Sequence, residues 1–537
     1  MSDSQASKGD RRAEIPARLR QAGGLHEGVA REIAAELGVA EADVWGVGSF
    51  FHLLARPQAR LRVCTGLSCR MRGALDVLAA CRSSQLPVEE ASCLAGCDVA
   101  PAVLRERRVL PGVTVADVRQ AGGDWRALRS AGAPDHGPWT GHVGPTRDDP
   151  ERLALNLLGT PDYSGAAFLR AQQLGADAMV DALEAAGLQG RGGAGFPAHI
   201  KWRGIRSQPP GPRYLVLNAD EGEPGTFKDR ELLMRRPDRV VEGLAIAAAA
   251  IAAADVYLYL RGEFELPWER LQETLTRFED AGAFPGIRFH MHAGHGAYIS
   301  GEETALLEAL EGRRAMPRLK PPLPVEVGLW GRPTLIHNVE TIACVPAIAL
   351  RGGSWFRALG RSEAGSKLYC ISGDVQRPGT YELPIGVSLD ELAEAAGGLD
   401  GELLAFSPGG ASSGFLPASE RGRPLAFGSL AEAGSMLGSA GVVVLNHGRD
   451  LRDAVRAQLC FFERESCGQC APCRIGTRYL REALDQSVGG IESSPEALAH
   501  VADVAWQMNE GSICGLGQAA PLPLTLALKH FPEVFLR

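Results

Sequence analysis

The chain has 537 residues, of which 45% are hydrophobic and 22% are charged. These are ordinary values for a globular protein, and at roughly 100–200 residues per domain the length predicts three to five domains. The net charge of −8 argues against nucleic-acid binding through an overall positive field. The longest apolar stretch, residues 243–254, is shorter than the roughly 20 residues that a membrane span needs. Residues 1–12 lack the apolar core of a secretory signal, so we expect a cytoplasmic protein.

The N-terminal third contains two predicted folded segments and a connection. Residues 1–55 are predicted to be helical, because Val29, Ile33 and Leu37 recur at helical spacing. A short strand over 61–63 and a helix over 73–80 predict a small α/β domain over 56–125. Residues 126–154 are rich in turn formers and lack an apolar period, so they are predicted to be a linker.

The remaining sequence predicts three further domains. Residues 155–365 alternate helices with apolar strands, such as 214–217 and 256–260, which indicates an α/β domain. Residues 366–447 contain strand-like runs at 367–371, 379–383 and 441–445, with one short helix near 389–396, and predict a β-rich module. Residues 448–537 have helical periodicity and predict a small helical bundle.

Eight of the twelve cysteines fall into two groups of four. In the second group, Cys467, Cys470 and Cys473 form a C-x2-C-x2-C motif, and Cys514 lies well downstream. Three thiolates on one tight loop with a remote fourth favour a [4Fe–4S] cluster. A structural zinc ion is the alternative, although zinc sites more often use two separated C-x2-C pairs.

The first group of cysteines consists of two pairs, Cys64 with Cys69 and Cys93 with Cys97. Two such pairs suit either a [2Fe–2S] cluster or zinc, and their spacing leaves both open. The four other cysteines stand singly in apolar surroundings and are predicted to be small buried hydrophobic residues: Cys81, Cys344, Cys370 and Cys460.

A glycine-rich segment, GRGGAGFP at residues 190–197, contains the pattern GxGxxG. In a Rossmann fold this pattern follows a strand, whereas here a helix over 172–186 is predicted to precede it. We therefore expect a loop whose backbone approaches a phosphate or a flat ring, with Lys201 as a cation. A glycine-rich turn without a ligand is the alternative.

A second segment, NADEGEPGT at residues 218–226, directly follows an apolar strand. Ligand sites of open α/β sheets lie at such strand ends. The crowded acidic side chains also repel one another, which a purely structural loop would have little reason to accept. Carboxylates and amides of this kind suit ribose and ribityl hydroxyls and the polar edge of a flavin. A further acidic pair, Glu302 and Glu303, opens a predicted helix, where stabilisation of the helix N-terminus is an equal alternative.

Taken together, these motifs resemble the flavin-carrying, NADH-oxidising subunit of respiratory complex I and its soluble relatives. Those relatives include the diaphorase subunits of NAD-linked formate dehydrogenases and NAD-reducing hydrogenases. The resemblance covers 155–537 and rests on five motifs in order: GRGGAGFPAHIKW (190–202), NADEGEPGTFKDR (218–230), YISGEETALL (298–307), KPPLPVEVGLWGRPTLIHNVET (320–341), and ESCGQCAPCRIGT (465–477) with SICGLGQAAPLP (512–523). Residues 12–125 resemble the small thioredoxin-like [2Fe–2S] subunit of the same complexes, fused to the front.

The resemblance implies a multidomain α/β fold. In chain order it has N-terminal helices, a thioredoxin-like [2Fe–2S] domain, a Rossmann-like FMN- and NADH-binding domain, a β-grasp domain of the SLBB type and a helical [4Fe–4S] domain. The implied ligands of the [4Fe–4S] cluster are Cys467, Cys470, Cys473 and Cys514, and those of the [2Fe–2S] cluster are Cys64, Cys69, Cys93 and Cys97.

The resemblance also implies a set of cofactor-binding residues. FMN would be held by Gly190, Gly192, Lys201, Asn218, Asp220, Glu221, Tyr298, Gly301, Glu302, Ile336, Asn338 and Thr341. His337 stands beside the flavin where the family usually has Asn. NADH would contact Phe196, Glu223, Glu303 and Lys320, with Glu223 and Glu303 as the catalytic residues.

The implied function is an NADH:acceptor oxidoreductase of the diaphorase type. Hydride would pass from NADH to FMN, and electrons would pass singly through the [4Fe–4S] cluster to iron–sulfur or catalytic partner subunits of a complex I-like, formate dehydrogenase or hydrogenase assembly. In complex I the chain would lie peripherally on the cytoplasmic membrane face. Gly204 and Leu323 replace aromatic residues that help to hold adenine in the family, and they favour the alternative, a non-catalytic iron–sulfur scaffold with a vestigial nucleotide site.

Overall fold

The computed structural model describes residues 11–130, 142–144, 153–488 and 495–535. Within these ranges the strands form three sheets, one of six strands and two of four. No helix in the described part of the chain has both the length and the apolar character needed to cross a bilayer.

The N-terminal helices have no core of their own. They span Ile15–Gln21, Val29–Leu37, Glu41–Phe50 and His52–Ala55. Their buried side chains, such as Ile15 and Ile33, share one apolar cluster with Ile299 and Leu306 of the large α/β domain. The described part of the predicted helical segment, 11–55, is therefore mostly helical, and it is packed onto the domain that carries the acidic loops; residues 1–10 lie outside the described residues.

The first cysteine-bearing domain is a four-stranded sheet with helices. The strand order is Val88–Ala91, Leu61–Cys64, Val103–Arg105, Arg108–Leu110, with the first pair parallel and the others antiparallel. Its α-helices are Leu67–Met71, Ala74–Ser83 and Val115–Ala121, and short 3-10 turns cover Cys97–Val99 and Trp125–Ala127. The predicted strand and helix after residue 60 are confirmed.

The large domain is built on a four-stranded, fully parallel sheet. Its strand order is Arg288–Ala293, Asp255–Leu260, Tyr214–Ala219, Thr334–Asn338. The α-helices are Ala166–Leu174, Ala176–Ala186, Ala198–Arg206, Lys228–Arg235, Pro237–Ile251, Glu265–Asp280, Glu303–Leu310, Val339–Arg351 and Gly353–Ala358. Short 3-10 turns cover Tyr298–Gly301 and Leu329–Gly331.

The alanine-rich stretch of the sequence belongs to a helix in the core of this domain. Helix Pro237–Ile251 is buried along almost its whole length. A Cβ atom at Gly243 would lie 2.3 Å from the carbonyl oxygen of Ile342, so only glycine allows the close approach of helix Val339–Arg351. The helix predicted over 172–186 is in fact two helices, because Gly175 takes a positive φ of 84° between them.

The β-rich module is a six-stranded sheet. Its order is Leu416–Pro417, Leu403–Ser407, Gly441–Asn446, Ser366–Gly373, Gly379–Pro384, His142–Gly144. Helices Leu389–Ala395 and Phe427–Glu432 and the 3-10 turns Ala411–Ser413 and Ala418–Glu420 complete it. The edge strand His142–Gly144 lies inside the predicted linker, which is therefore not wholly irregular; residues 131–141 and 145–152 of that linker lie outside the described residues.

The C-terminal region is helical, as predicted. Its α-helices are Leu451–Glu465, Ala471–Val488, Val501–Gly511, Gly515–Ala519, Leu522–His530 and Pro532–Phe535, with a 3-10 turn over Pro495–Leu498. Asp450 caps the first helix by accepting hydrogen bonds from the backbone N–H groups of Arg452 and Asp453. The turn between the first two helices carries Cys467 and Cys470, and Cys473 lies in the first turn of the second helix.

Candidate active site and cofactor centres

The acidic loops lie at the carboxyl edge of the parallel sheet. Strand Tyr214–Ala219 leads into the 218–226 segment, strand Arg288–Ala293 leads towards Tyr298, and strand Thr334–Asn338 ends at Asn338. The chain leaves strand Tyr214–Ala219 for the strands on one side, and Thr334–Asn338 is added last on the other side. Such a switch point opens a crevice above the sheet, where open α/β folds bind their ligands.

The glycine-rich loop closes over this crevice. The Gly190 N–H donates to the Phe196 carbonyl oxygen at 2.8 Å, and the Arg191 N–H donates to Thr341 Oγ1 at 2.8 Å. A Cβ atom at Gly192 would lie 2.9 Å from the Cβ of Asn338. The loop therefore brings its backbone close to the strand end, as expected of a loop that lines a ligand site, and a helix precedes it.

Two lysines and two glutamates form one charged cluster in the crevice. Lys201 Nζ lies 2.7 Å from Glu303 Oε2, and Lys320 Nζ lies 2.9 Å from oxygens of both Glu302 and Glu303. Burial would raise the pKa of Glu303, but the two lysines outweigh it and lower that pKa to about 2. Glu303 is thus a fixed negative charge at neutral pH.

Glu302 caps a helix, which was one of the two roles that the sequence left open for this pair. Its Oε2 accepts the backbone N–H groups of Thr304 and Ala305, each at 2.9 Å, and so caps helix Glu303–Leu310. Its other oxygen, Oε1, accepts a hydrogen bond from Lys320 Nζ at 2.9 Å.

The acidic loop divides into residues that face the crevice and one that does not. Asn218 Nδ2 donates to the Gly301 carbonyl oxygen at 2.7 Å, which joins the first two strand ends of the site. Burial raises the pKa of Asp220 well above its usual range. The Glu221 carboxylate instead accepts the backbone N–H groups of Asp229 and Arg230 at 2.8 and 3.1 Å, so it caps helix Lys228–Arg235. The Glu221 carboxylate is thereby linked through Asp229 to Asn338, which donates to the Asp229 carboxylate.

Glu223 is held by groups from two domains. Tyr298 donates its phenol O–H to Glu223 Oε2. Ser412 of the β-rich module donates its backbone N–H to Oε1 at 2.8 Å and its hydroxyl to Oε2 at 3.1 Å. Sequence reasoning missed Ser412, because the surrounding GGASSG carries no signal beyond a turn and its partner lies 189 residues away.

His337 is a neutral, buried histidine. Trp202 donates its indole Nε1–H to His337 Nε2 at 2.9 Å, and Trp202 is fully buried. Burial, together with the charge of Lys201, lowers the pKa of His337 to about 3. The side chain beside the flavin position is therefore uncharged at neutral pH.

Asn338 joins a buried polar network that the sequence motif contains but sequence reasoning did not single out. Its Nδ2 donates to Asp229 Oδ2 at 2.6 Å, and Lys228 Nζ donates to its Oδ1 at 3.3 Å. Lys228 also pairs with Glu340, and both side chains are buried. Ile336 lies two residues before Asn338 in the same strand and is buried in the apolar cluster beneath the crevice.

The outer rim of the crevice is exposed, and it includes Gly204 and Leu323, the two positions where an aromatic residue of the family is replaced. Phe196 is 47% exposed and Leu323 is 45% exposed. A Cβ atom at Gly204 would meet the Val325 side chain at 3.5 Å, an ordinary contact, so the glycine is not required by packing. Lys201 Nζ lies 6.0 Å from the centre of the Phe196 ring.

The cysteine triplet and the remote fourth cysteine come together. A Cβ atom at Gly517 would lie 2.9 Å from the Cβ of Cys473, so the Cys514 loop rests against the triplet. Gly468 takes a positive φ of 76°, which allows the tight turn within the triplet. Burial raises the pKa of Cys514 to about 11, opposed by the backbone N–H groups of Leu516 and Gly517 that face its thiol.

The cluster loop is joined to the crevice through Tyr298. The Tyr298 N–H donates to Glu465 Oε2 at 2.9 Å, and Glu465 ends the helix that leads into the triplet. The Tyr298 ring also meets the Phe461 ring edge-on, with centroids 4.9 Å apart. The same residue therefore contacts Glu223 in the crevice and the helix of the cluster domain.

The first cysteine group also comes together, and it lies beside the acidic loop. A hydrogen bond with Cys64, together with burial, raises the pKa of Cys69 well above its usual range. A hydrogen bond from Cys97 and the charge of Arg261 lower the pKa of Cys93 to about 7. Cys93 Sγ lies 4.0 Å from the Glu223 carbonyl oxygen.

The chemistry of these groups fits the cofactors that the sequence implies. All twelve cysteines are free thiols, so both groups of four are available as ligands. Cys81, Cys344 and Cys370 are buried as predicted, and Cys460 is only partly buried. A crevice lined by glycine backbone, lysines, amides and carboxylates offers the donors and acceptors that a phosphate, ribityl hydroxyls and a flavin edge need.

Comparison with known protein families matches four regions of the chain. The family described as "Nuo51 FMN-binding domain" matches residues 183–347, and "NADH-ubiquinone oxidoreductase-F iron-sulfur binding region" matches 453–537. "Thioredoxin-like [2Fe-2S] ferredoxin" matches 16–122, and "SLBB domain" matches 368–415.

Curated relatives decide the family. One of the two F subunits of NADH-quinone oxidoreductase in Rhizobium meliloti is 44% identical over 395 residues, which are 71% of this chain and 94% of that protein. The mitochondrial NADH dehydrogenase [ubiquinone] flavoprotein 1 of Dictyostelium discoideum is 40% identical over 412 residues, 72% of this chain and 86% of that protein. The chain belongs to the family of NADH-quinone oxidoreductase F subunits.

Among solved structures, the air-oxidized NAD+-reducing [NiFe]-hydrogenase is similar over 97% of this chain and 93% of that chain. The TM-score is 0.87 and the sequence identity 33%. Membership of the F-subunit group makes this chain an oxidoreductase component that transfers electrons from NADH through FMN and iron–sulfur clusters. It contains FMN-binding, [4Fe–4S] and [2Fe–2S] domains, as predicted, and the alternative of a non-catalytic scaffold is not favoured.

Proposed function

We propose that this chain is the NADH-oxidising subunit of a cytoplasmic, multi-subunit redox assembly of the diaphorase type. The observation that supports this most strongly is the extent of the similarity. The match to the hydrogenase chain covers 97% of the present chain. The matches to the F-subunit relatives cover only 71–72% of the present chain. Fusion of the [2Fe–2S] domain to the FMN domain is thus common to this chain and that NAD-linked enzyme.

In this proposal, the crevice residues divide into two sets around one flavin. When bound, FMN accepts two electrons as hydride and releases them one at a time. The glycine loop, Lys201, Asn218, Asp220 and the strand end at Asn338 hold FMN. Phe196 and Lys320 hold NADH over it.

Glu223 and Glu303 have the catalytic role of orienting NADH. Three donors fix Glu223, and two lysines keep Glu303 negative, so both carboxylates are set in place before the substrate arrives. Such fixed groups need little rearrangement when the nicotinamide ring binds, which is how positioning lowers a barrier.

Cys467, Cys470, Cys473 and Cys514 would hold the [4Fe–4S] cluster, which would supply one-electron transfer out of the site. The support for this exit is the chain of contacts from Glu223 through Tyr298 to Glu465, which ends at the cluster loop.

The test of the electron path is the variant Cys470→Ser in anaerobically purified full-length protein. We expect loss of the [4Fe–4S] EPR signal, while NADH still bleaches the flavin absorption. Cys460→Ser, on the helix before the cluster loop, is the matched control and should keep both signals. Flavin that stays oxidised under excess NADH in the unaltered protein would refute the proposed activity.

Affinity purification from the native host identifies the assembly. Partner subunits that contain nickel or molybdenum support a hydrogenase or a formate dehydrogenase. Recovery with integral membrane subunits would overturn the proposal of a diaphorase and place the chain in complex I.

A further inference from the structure

Two buried arginines of the FMN domain hold the loop that carries Cys93 and Cys97. Arg261, directly after strand Asp255–Leu260, donates from Nη2 to the Cys93 carbonyl oxygen at 2.7 Å. Arg230, on helix Lys228–Arg235, donates to the Ala95 carbonyl oxygen and to both oxygens of Asp98, at 3.0 and 2.7 Å. The side chains of Arg261 and Arg230 are only 6% and 3% exposed.

The two arginines differ in how their charges are balanced. Arg230 faces two carboxylates, Asp98 and Glu231, at 2.7 and 2.8 Å. Arg261 has one close carboxylate, Glu263, at 3.1 Å. Placing charges in a buried site is costly unless they are paired, so these contacts are strong constraints on how the two domains are joined.

Arg261 also lies between the cysteine loop and the acidic loop. Its Nη1 donates to the Glu221 carbonyl oxygen, in the segment that lines the crevice. A small cavity of about 40 Å³ separates the two loops, and its lining includes Cys93, Asp220, Arg261 and Tyr298. The arginine therefore touches the backbone on both sides of the boundary between the two cofactor sites.

We propose that Arg261 is a positioning residue that raises the reduction potential of the [2Fe–2S] cluster. The proposal rests on Cys64, Cys69, Cys93 and Cys97 as the cluster ligands. Reduction adds one electron to the cluster and changes no bond. A nearby buried cation stabilises the extra negative charge, and such charges are known to set cluster potentials.

The experiment is an EPR-monitored redox titration of the full-length protein, with dithionite supplying the electron. Arg261→Gln should shift the [2Fe–2S] midpoint to a more negative potential. Arg261→Lys keeps the positive charge and should return the midpoint most of the way to that of the unaltered protein. Arg82→Gln is the control, because Arg82 belongs to the [2Fe–2S] domain itself, is 59% exposed and pairs with Glu90 at the surface. The [4Fe–4S] midpoint should stay unchanged in all of these variants.

Glu263→Gln gives an independent test of opposite sign. Removing the one close counter-charge of Arg261 should shift the [2Fe–2S] midpoint to a more positive potential. If Arg261→Gln loses its cluster, the direction of the Glu263→Gln shift decides. An unchanged midpoint in Arg261→Gln with intact cluster, or a zero or negative shift in Glu263→Gln, overturns the role of Arg261. Absence of any [2Fe–2S] signal in the unaltered protein would instead overturn the ligand assignment.

Discussion

Glu223 owes its position to Ser412, a residue from another domain. The hydroxyl and backbone N–H of Ser412 both donate to the Glu223 carboxylate. Ser412→Ala removes the hydroxyl but keeps the backbone donor. Because a single hydrogen bond contributes about 1 kcal/mol, we expect a rise of about fivefold in the KM for NADH and a smaller change in kcat. Steady-state NADH:ferricyanide kinetics measure both.

Ser419→Ala is the matched control, since Ser419 is an exposed serine in the 3-10 turn Ala418–Glu420 of the same domain. If Ser412→Ala changes the KM for NADH no more than Ser419→Ala does, the hydroxyl has no part in orienting Glu223.

His337 makes stability sensitive to acid. Its pKa is about 3 in the folded protein, against about 6.5 in an unfolded chain. The unfolded chain therefore binds the proton first, and stability is lost as the pH falls from about 6.5 towards 3. For this residue alone the loss between pH 8 and pH 5 is about 2 kcal/mol. His337→Asn keeps an acceptor for Trp202 and should remove that part of the pH dependence.

Urea midpoints at pH 8 and pH 5 provide the measurement. His26→Asn changes an exposed histidine and should keep the slope of the unaltered protein. An equal loss of stability in His337→Asn and in the unaltered protein would contradict a neutral, buried His337.

At this scale the sequence predicted residue types better than residue partners. The cysteine groups were recognised from their spacing, whereas the crevice set was implied by the family resemblance. Glu221 was placed at the flavin by resemblance, but its carboxylate caps a helix, since Lys228–Arg235 begins close by. Ser412 and Arg261 act across domains, and local patterns carry no information about such contacts.

At the scale of elements, the apolar runs predicted two of the four strands of the parallel sheet. Tyr214–Ala219 and Asp255–Leu260 are buried and apolar on both faces, which gives a strong signal. Two further elements differ from the prediction. Gly175 divides one predicted helix through its backbone conformation, and strand His142–Gly144 is defined by pairing with Gly379–Tyr381 rather than by an apolar period.

The helices around the [4Fe–4S] site carry two large exposed apolar side chains. Ile475 and Trp506 are 63% and 67% exposed, and their helices, Ala471–Val488 and Val501–Gly511, pack against each other where Gly476 meets Met508. We expect this face to bind the partner that receives electrons. Trp506→Glu should weaken that association by about 2 kcal/mol, or about thirtyfold, as for a central interface aromatic. Copurification with the partner and NADH:ferricyanide activity are the paired measurements, and only copurification should fall.

Trp45→Glu places the same charge on the exposed Trp45 of an N-terminal helix, 57% exposed, and serves as the control. Equal loss of the partner in both variants would mean that the cluster face has no special part in docking.

At the scale of the whole molecule, the N-terminal helices and the large domain share one apolar core. Deletion of residues 1–56 should uncover side chains such as Ile299 and Leu306, at a cost of about 2 kcal/mol for each one exposed. We expect a lower thermal midpoint and increased binding of an apolar dye. Deletion of residues 1–10 alone is the control. If the protein lacking residues 1–56 had the same thermal midpoint as the full-length protein, the helices would be dispensable for the fold.

The short strand His142–Gly144 has a consequence for solubility. It occupies the outer rim of the six-stranded sheet beside Gly379–Tyr381, where an uncovered row of peptide groups would otherwise invite a strand from a neighbouring molecule. The segment that connects the [2Fe–2S] and FMN domains therefore also limits self-association through this sheet. Two separate polypeptides would have no such connecting segment to supply the edge strand.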